Sequence, residues 1–448
     1  MLQLWAGEAK REETALDPPA NPPQLQALMR FLHLADVHLD TPFAGRSDAV
    51  RRRLRDASRA ALTRAVSCAV TERVHVVLLA GDVFDGDRLS FKTERFLLDE
   101  LARLQEAGIP VVYATGNHDP GRDAYRTRPL AWPSNVEVVG EGAPRLIRIR
   151  DRDGREVGRV TAAGHASRRE TGDLSAAFPS AGTDELPHVA VLHTQVREAR
   201  AADEHEPYAP SDLLRLLASG HDYWALGHVH LRQQLADAPA VHYPGNLQGR
   251  THRESGPKGG LLVEVDRRRP AQVEFRSFAP VRFETVVVGG LEEADSLERL
   301  LARFRTEWER ARREDPGEPG AEWVVRFRTT GGTPAWRRLA DEDERASLAR
   351  EAARELGLLD GEVQTGPLHP VVHVADHSGR VDVLGTALRL LEDVRAGRAT
   401  VPGLQVEELA GLDRPDAGDP AEYLRALLEA ADAELLARML ASPQDGGR

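Results

Sequence analysis

The chain has 448 residues, 41% hydrophobic and 29% charged, the composition of a globular protein with room for two or three domains. Its net charge is −12, and 22 basic against 33 acidic residues from 281 onward carry −11 of it, which excludes a basic tail or a strongly basic autonomous DNA-binding module. A single cysteine, Cys68, excludes an internal disulfide framework and a cysteine-rich zinc site.

No apolar run approaches the roughly 20 residues of a membrane span, and no apolar signal core opens the chain. The expectation is no membrane and a cytoplasmic location. Lysine occurs only at Lys10, Lys92 and Lys258, so arginine supplies almost all the positive charge, a pattern read as coding bias. Residues 1–28, with Asp17-Pro18-Pro19-Ala20-Asn21-Pro22-Pro23, read as a disordered extension or as a stretch upstream of a true start at Met29.

From residue 30 to 125 the pattern alternates. Apolar strands are predicted at 31–35, 74–80 and 110–114, separated by helices over 47–71 and 88–107. Near-continuous apolar runs between amphipathic helices predict parallel strands buried on both faces. Ligands bind at the carboxyl ends of such strands, and each strand here ends in a polar loop. The loops are Asp36-Val37-His38, Gly81-Asp82-Val83-Phe84-Asp85 and Gly116-Asn117-His118-Asp119. Alternate residues on an extended segment point the same way, so Asp36 and His38 are aimed together.

Between 136 and 280 short strands are predicted at 136–139, 144–149, 157–163, 188–193, 222–226, 260–265 and 271–277, with a helix at 210–219. Two more polar loops close strands there, His193-Thr194-Gln195 and Gly227-His228-Val229-His230. A mixed second sheet packed on the first accounts for this. Beyond 281 the motifs stop. A strand from Phe283, a helix at 293–313, a strand at 322–328 and a helix at 341–356 predict a smaller α/β second domain. Amphipathic helices at 383–396 and 419–440 follow, the second with Leu424, Leu427, Leu428, Leu435, Leu436 and Leu440 near helical spacing, read as core packing or as a docking face.

Asp36, His38, Asp82, Asn117, His118, His193, His228 and His230 are thus all delivered to strand ends. Each motif alone is an ordinary turn or a core histidine; five in order are not. Carboxylate, imidazole and amide donors without thiolate suit manganese, iron or zinc. Eight donors exceed one ion's needs, and two ions sharing a carboxylate serve phosphoester hydrolysis.

The order Asp-x-His, Gly-Asp-x-x-Asp, Gly-Asn-His-Asp, His, Gly-His-x-His resembles the calcineurin-like metallophosphoesterase superfamily. Phe31 to Asp40 and Leu79 to Asp85 are similar to SbcD-type DNA repair nucleases, and His242 to Thr251 with Arg253 to Gly259 to their YhaO-like branch. The resemblance covers about 30–280 with specific motifs and 281–448 only loosely. It implies a four-layer α/β/β/α sandwich, an α/β (α+β) fold, with residues 29–280 as nuclease domain, 281–375 as a small capping domain and 376–448 as a helical region that docks a partner. It implies that Asp36, His38 and His230 hold one ion, that Asn117, His193 and His228 hold the other, and that Asp82 bridges them. The ions are expected to be Mn2+. His118 is not a ligand in this pattern: it faces the scissile phosphate and serves the leaving oxygen, with Asp85 orienting it.

The loop bearing His242, Tyr243, Asn246, Arg250 and His252 is placed near the active site by the same resemblance. Arg250, Asn246 and His252 are candidate substrate contacts, with a structural role the alternative for Arg250. His165 either borders the site or is a surface-loop histidine. The implied function is a Mn2+-dependent DNA exonuclease or endonuclease subunit of a repair complex. Its implied partners are DNA, an SMC-like coiled-coil ATPase of the SbcC/YhaN type and a second copy of the chain. A small-molecule phosphodiesterase or phosphatase on the same centre, or a non-cutting scaffold for the ATPase, are the alternatives.

Overall fold

The computed structural model describes residues 28–85, 89–121, 130–200, 208–371 and 380–399, with 377, 379, 428, 431, 435, 436 and 439 beside them. The extension at 1–28 lies, Leu28 apart, outside the described residues.

The chain opens with β1 (Met29–Leu34), α1 (Asp48–Thr71), β2 (Val76–Ala80), α2 (Phe91–Glu106), β3 (Val111–Ala114) and β4 (Val136–Val139). It continues through β5 (Arg145–Arg150), β6 (Glu156–Ala163), β7 (His188–His193), α3 (Leu213–Ala218), β8 (Tyr223–Gly227), β9 (Gln233–Asp237), β10 (Ala240–Tyr243), β11 (Gly259–Asp266) and β12 (Arg269–Ser277). It ends with β13 (Val281–Val288), α4 (Leu297–Glu314), β14 (Glu322–Gly332), α5 (Trp336–Ala340), α6 (Glu342–Leu356), β15 (Asp360–His369) and α7 (Val383–Arg395).

Three sheets result, with orders β12-β11-β1-β2-β3-β4, β5-β6-β7-β8-β10-β9 and β13-β14-β15. In the first, β1 to β4 are mutually parallel and β11 returns antiparallel to β1. Period-two alternation sorts its side chains. Leu32, Leu34, Val77, Leu79, Val111 and Tyr113 pack against α1 and α2 through Leu62, Ala65, Leu97 and Leu101. Phe31, Val76, Leu78 and Val112 point the other way, onto Val160, Val189, Val191 and Tyr223 of the second sheet. Both faces are dry, as the apolar runs predict. The helices start where the sequence provides caps: the Ser47 side chain accepts from Val50 N–H, and Ser90 from Thr93 N–H.

The second sheet's outer face buries Trp224, Leu226, Val241 and Tyr243 under Leu216 of α3 and Leu174 and Phe178 nearby. The fourth layer of the expected α/β/β/α sandwich is therefore thin: among the described residues it is a six-residue helix and a short 3-10 turn at Leu174–Ala177. The third sheet is wholly parallel and packs Val325 and Phe327 on Phe304 and Trp308 of α4 and Leu348 of α6.

Three strands and one short helix escape the sequence pattern. β9 and β15 carry few apolar residues, β10 is a four-residue strand, and α5 has five residues. The helix expected at 419–440 falls almost wholly outside the described residues. Of its leucines, Leu436 is buried against Leu384 and Leu388, with Leu435 packed beside them.

The two large sheets meet backbone to backbone at their carboxyl ends. A Cβ on Gly227 would lie 1.8 Å from the Ala80 carbonyl oxygen and 2.9 Å from His193 Nδ1. Gly227→Ala therefore has to part the sheets there. It should lower the urea-unfolding free energy of the full chain by about 1–3 kcal/mol; an unchanged midpoint would contradict this close approach.

Candidate metal centre

Four of the donors sit on backbone that side chains disfavour. Asp36, His38, Asp82 and His228 have φ of 50°, 47°, 52° and 104°. Such residues cost of order 1–3 kcal/mol each and persist only where their surroundings over-determine them. Here they do. Asp36 N–H donates to Gly81 O at 3.1 Å, His38 N–H to Asp82 O at 3.0 Å and Leu39 N–H to Val83 O at 2.9 Å, zipping the first two loops together. His228 N–H donates to the Asp36 carboxylate at 3.1 Å and ties in the loop after β8. Asp119 holds the third loop: its carboxylate accepts from Asp82, Val83 and Gly116 N–H and from the Tyr113 hydroxyl. Gly116 is confined as well, since a Cβ there would lie 2.2 Å from Asp82 Oδ1.

The side chains then converge acceptor on acceptor. His193 Nδ1 lies 2.9 Å from the Ala80 carbonyl, which only accepts, so Nδ1 carries the proton. Burial holds this imidazole's pKa well below its ordinary value, so the ring is neutral and Nε2 presents a lone pair. That lone pair faces Asn117 Oδ1 at 3.0 Å and Asp82 Oδ2 at 3.5 Å. Asn117 Oδ1 is also 3.2 Å from His228 Nδ1.

On the other side, His230 Nδ1 donates to Glu254 Oε1 at 2.7 Å. Its Nε2 is thereby turned on His38 Nε2 at 3.2 Å and Asp36 Oδ1 at 3.6 Å. His38 Nε2 lies 3.7 Å from Asp82 Oδ2. Burial and the neighbouring Asp82 push the Asp36 carboxyl well above the usual carboxylate range. Asp36, His38 and His230 form one group whose donor atoms all lie within 4.8 Å; Asp36, Asp82 and His193 form another, and His38, Asp82 and His118 a third. Buried lone pairs packed on lone pairs fit cations, and oxygen and imidazole donors fit borderline divalent ones.

His118 stands at the rim, 39% exposed, with Nδ1 3.1 Å from Asp85 Oδ1. Burial opposes its charge, but the Asp85 hydrogen bond and the Asp82 and Asp85 charges prevail and raise its pKa. Burial likewise opposes charge on Asp85, yet His118, Arg250 and Thr41 bring its pKa down to about 2. The pair is therefore imidazolium and carboxylate.

Arg250 reaches Asp85 with Nη1 at 3.1 Å, and its backbone N–H donates to Glu254 Oε2 at 2.6 Å. It thus joins the carboxylate behind His118 to the one behind His230. Asn246, a candidate substrate contact by sequence, is fully buried and donates to Glu254 Oε2 at 2.9 Å; it positions Glu254 and does not face the cleft. His252 does line the cleft, its ring edge-on to Phe283. His165 is no surface histidine: it is buried against the His193 ring, with Nε2 2.8 Å from His193 O. His242 stacks on Tyr223, and the Tyr243 hydroxyl bonds Thr194 O and Val196 N–H, so both are structural. The roles of Glu254, Thr41 and Asp119 were not legible in the motifs, although Glu254 lies within the Arg253 to Gly259 stretch and Asp119 closes Gly116-Asn117-His118-Asp119.

A cleft of about 760 Å³ opens over His118, His228 and His230, bounded by Tyr208, Arg250 and Lys258. Lys258 Nζ donates to His230 O at 3.1 Å, and burial lowers its pKa to about 8.

The His118–Asp85 pair gives metal-free protein a pH signature. Asp85, depressed from 3.8, contributes fully above that value and loses its contribution as pH falls towards about 2. His118, raised from 6.5, contributes fully below that value and loses its contribution as pH rises through its higher pKa. In EDTA, the melting deficit of Asp85→Asn should be largest between about pH 4 and pH 6.5 and shrink on both sides. It should shrink less on the alkaline side, where Arg250 still pairs with Asp85. A deficit independent of pH would contradict the ion pair.

The model of the calcineurin-like phosphoesterase family matches residues 29–232. The uncharacterized metallophosphoesterase YhaO of Bacillus subtilis is 33% identical over 312 residues, 69% of this chain and 73% of that protein. The DNA double-strand break repair protein Mre11 of Methanopyrus kandleri is 27% identical over 61% of this chain and 63% of its own length. The SbcD component of the nuclease SbcCD from Rhodobacter capsulatus is 30% identical over 48% of this chain and 61% of its own. The chain thus spans a little under two thirds of these last two. A family model that takes in β1 to β8, and a relative one third identical across most of both chains, lead to one conclusion: this chain belongs to the calcineurin-like phosphoesterase family.

Proposed function

We propose that the chain is a Mn2+-dependent DNA nuclease that hydrolyses phosphodiester bonds at a two-ion centre. The observation that carries this is the buried convergence of lone pairs from Asp36, His38, Asp82, Asn117, His193 and His230 beside a charged His118 in an open cleft. In this reading Asp36, His38 and His230 hold one ion, Asn117, His193 and His228 the other, and Asp82 both. Two divalent ions supply a Lewis acid for the phosphoryl oxygens and lower the pKa of the attacking water.

The chain's own groups do the rest. Asp85 keeps His118 protonated and turned, so that His118 delivers a proton to the leaving oxygen. Arg250 holds Asp85 and Glu254 in register, and Glu254 fixes the tautomer of His230. Nucleic acid is favoured over a small ester by the similarity to Mre11 and to the SbcD component of SbcCD, and by a cleft open to solvent. The same similarity extends the reading to a repair complex with an SMC-like ATPase and a second copy of this chain, in the cytoplasm. Residues 29–280 are then the nuclease domain, 281–375 a cap and 376–448 the docking region.

The test is cleavage of end-labelled single- and double-stranded DNA by residues 29–448 with Mn2+, Mg2+ or EDTA. Cleavage should require Mn2+ and fall by about 10²–10⁴-fold in His118→Ala, while bound metal stays at the wild-type level. Asp82→Ala should reduce bound metal below two ions per chain by elemental analysis. Protein that hydrolyses bis(p-nitrophenyl) phosphate but cuts no DNA, with or without the ATPase, would make it a small-molecule phosphodiesterase.

A further inference from the structure

The cleft over the donors continues past His252. A second cavity of about 740 Å³ shares Arg250, Thr251, His252 and Arg326 with it and runs on along Thr41–Ser47 to Asp360 and Glu362 of β15. That volume lies within the range of ligand pockets, about 300–1,000 Å³. Two arginines on its wall are held by carboxylates of one strand. Arg46, from the loop before α1, pairs with Asp360 and reaches Glu362 at 4.0 Å. Arg326, from β14, pairs with Glu362 at 3.1 Å, and its buried Nε has no hydrogen-bond partner. His252 Nδ1 lies 3.6 Å from the same Glu362.

Glu362 therefore touches two guanidinium groups and the His252 imidazole at the junction of the two cavities while its own side chain is 40% exposed. A guanidinium takes a carboxylate and a phosphate through the same planar fork. Solvent reaches the Glu362 carboxylate, and ion pairs to such a group contribute little net stability, so an incoming phosphate displaces it at little cost. At rest the cavity carries Arg46, Arg250 and Arg326 against Asp85, Asp360 and Glu362, and is electrically balanced.

We propose that this cavity is a phosphate subsite for the substrate strand beyond the scissile diester, and that Asp360 and Glu362 occupy Arg46 and Arg326 as phosphate surrogates until a strand displaces them. The proposal rests on the nucleic-acid reading above and deepens it. It makes β15 a brake on substrate binding, released by the ligand itself.

The test measures anisotropy of a fluorescein-labelled ten-nucleotide dT strand on full-length protein with Mn2+, in a His118→Ala background that leaves the strand uncut. Glu362→Gln alone, and with Asp360→Asn, should tighten binding, roughly tenfold for the double change. The slope of log Kd against log salt should steepen by about 1.4 for two more neutralised phosphates. Arg46→Gln with Arg326→Gln should weaken binding and flatten that slope. Equal affinity in all variants, or weaker binding after Glu362→Gln, overturns the subsite and leaves a cross-strand pair within the third sheet and a clamp from the loop before α1 to β15. Glu362→Gln decides the matter should the double variant fail to fold, since Asp360 still anchors Arg46. A strand bound more tightly by Glu362→Gln, yet never cut by protein with His118 intact, keeps the subsite and removes the nuclease reading.

Discussion

The hydrogen bond from His193 Nδ1 to the Ala80 carbonyl, 2.9 Å long, is the constraint on which the site depends. It crosses from the second sheet to the first at the point where Gly227 brings their backbones together. It also decides a tautomer. With Nδ1 committed to a carbonyl, the imidazole has only a lone pair to present, and that lone pair points at other acceptors. The same contact thus closes the core and opens the chemistry. Two dry sheets facing each other through Phe31, Val76, Val160 and Val189 hold it rigid.

Rigidity matters because the site is locally unfavourable. Left-handed Asp36, His38, Asp82 and His228, with carboxylates and imidazoles crowded together in a buried place, would relax in a soft scaffold. The fold resists by committing backbone groups to the loops. Asp119 alone accepts from four backbone N–H groups and one hydroxyl. Burial and the nearby Asp82 charge raise its pKa to about 6, so part of the strain is electrostatic and is relieved when cations join the cluster.

The sequence made the donors legible because strand, polar loop and helix repeat in a form that periodicity detects. Asp36, His38, Asp82, Asn117, His193, His228 and His230 each follow an apolar run, and a parallel sheet delivers such positions to one edge. Asp85 was legible in the second of these loops, but what stands behind it was not: Arg250 is 165 residues away in sequence, and only the folded chain shows that the two meet. Asn246 and Arg250 lie in the same loop, yet one is fully buried and the other lines the cleft, a distinction that loop composition does not encode. β9 and β15 were illegible for the converse reason, being strands held by backbone pairing with little apolar alternation. The helix predicted at 210–219 is present as the shorter α3, so the sequence announced this element and only the thinness of its layer had no signal.

The two halves of the centre are built differently, and the difference follows from what stands behind each histidine. His193 leans on a neutral backbone carbonyl; His230 leans on the Glu254 carboxylate. Although Glu254 is buried, His230, Arg250 and Asn246 all bind it, and its pKa is held well below the usual range, so it is charged. A carboxylate-backed imidazole is the more basic donor. His230 also shares its side of the site with the Asp36 carboxyl, whereas His193 shares its side with the Asn117 amide; Asp82 lies between them, 3.7 Å from His38 and 3.5 Å from His193. On the proposed assignment, negative charge is concentrated around the Asp36–His38–His230 position, which lies next to the Arg250 bridge to Asp85 and His118. The His118 ring stands on that same side, edge-on to His38, and the His193–His228 side faces Tyr208 at the cleft's other wall. Glu254, whose role no motif announced, is what makes the two positions unequal.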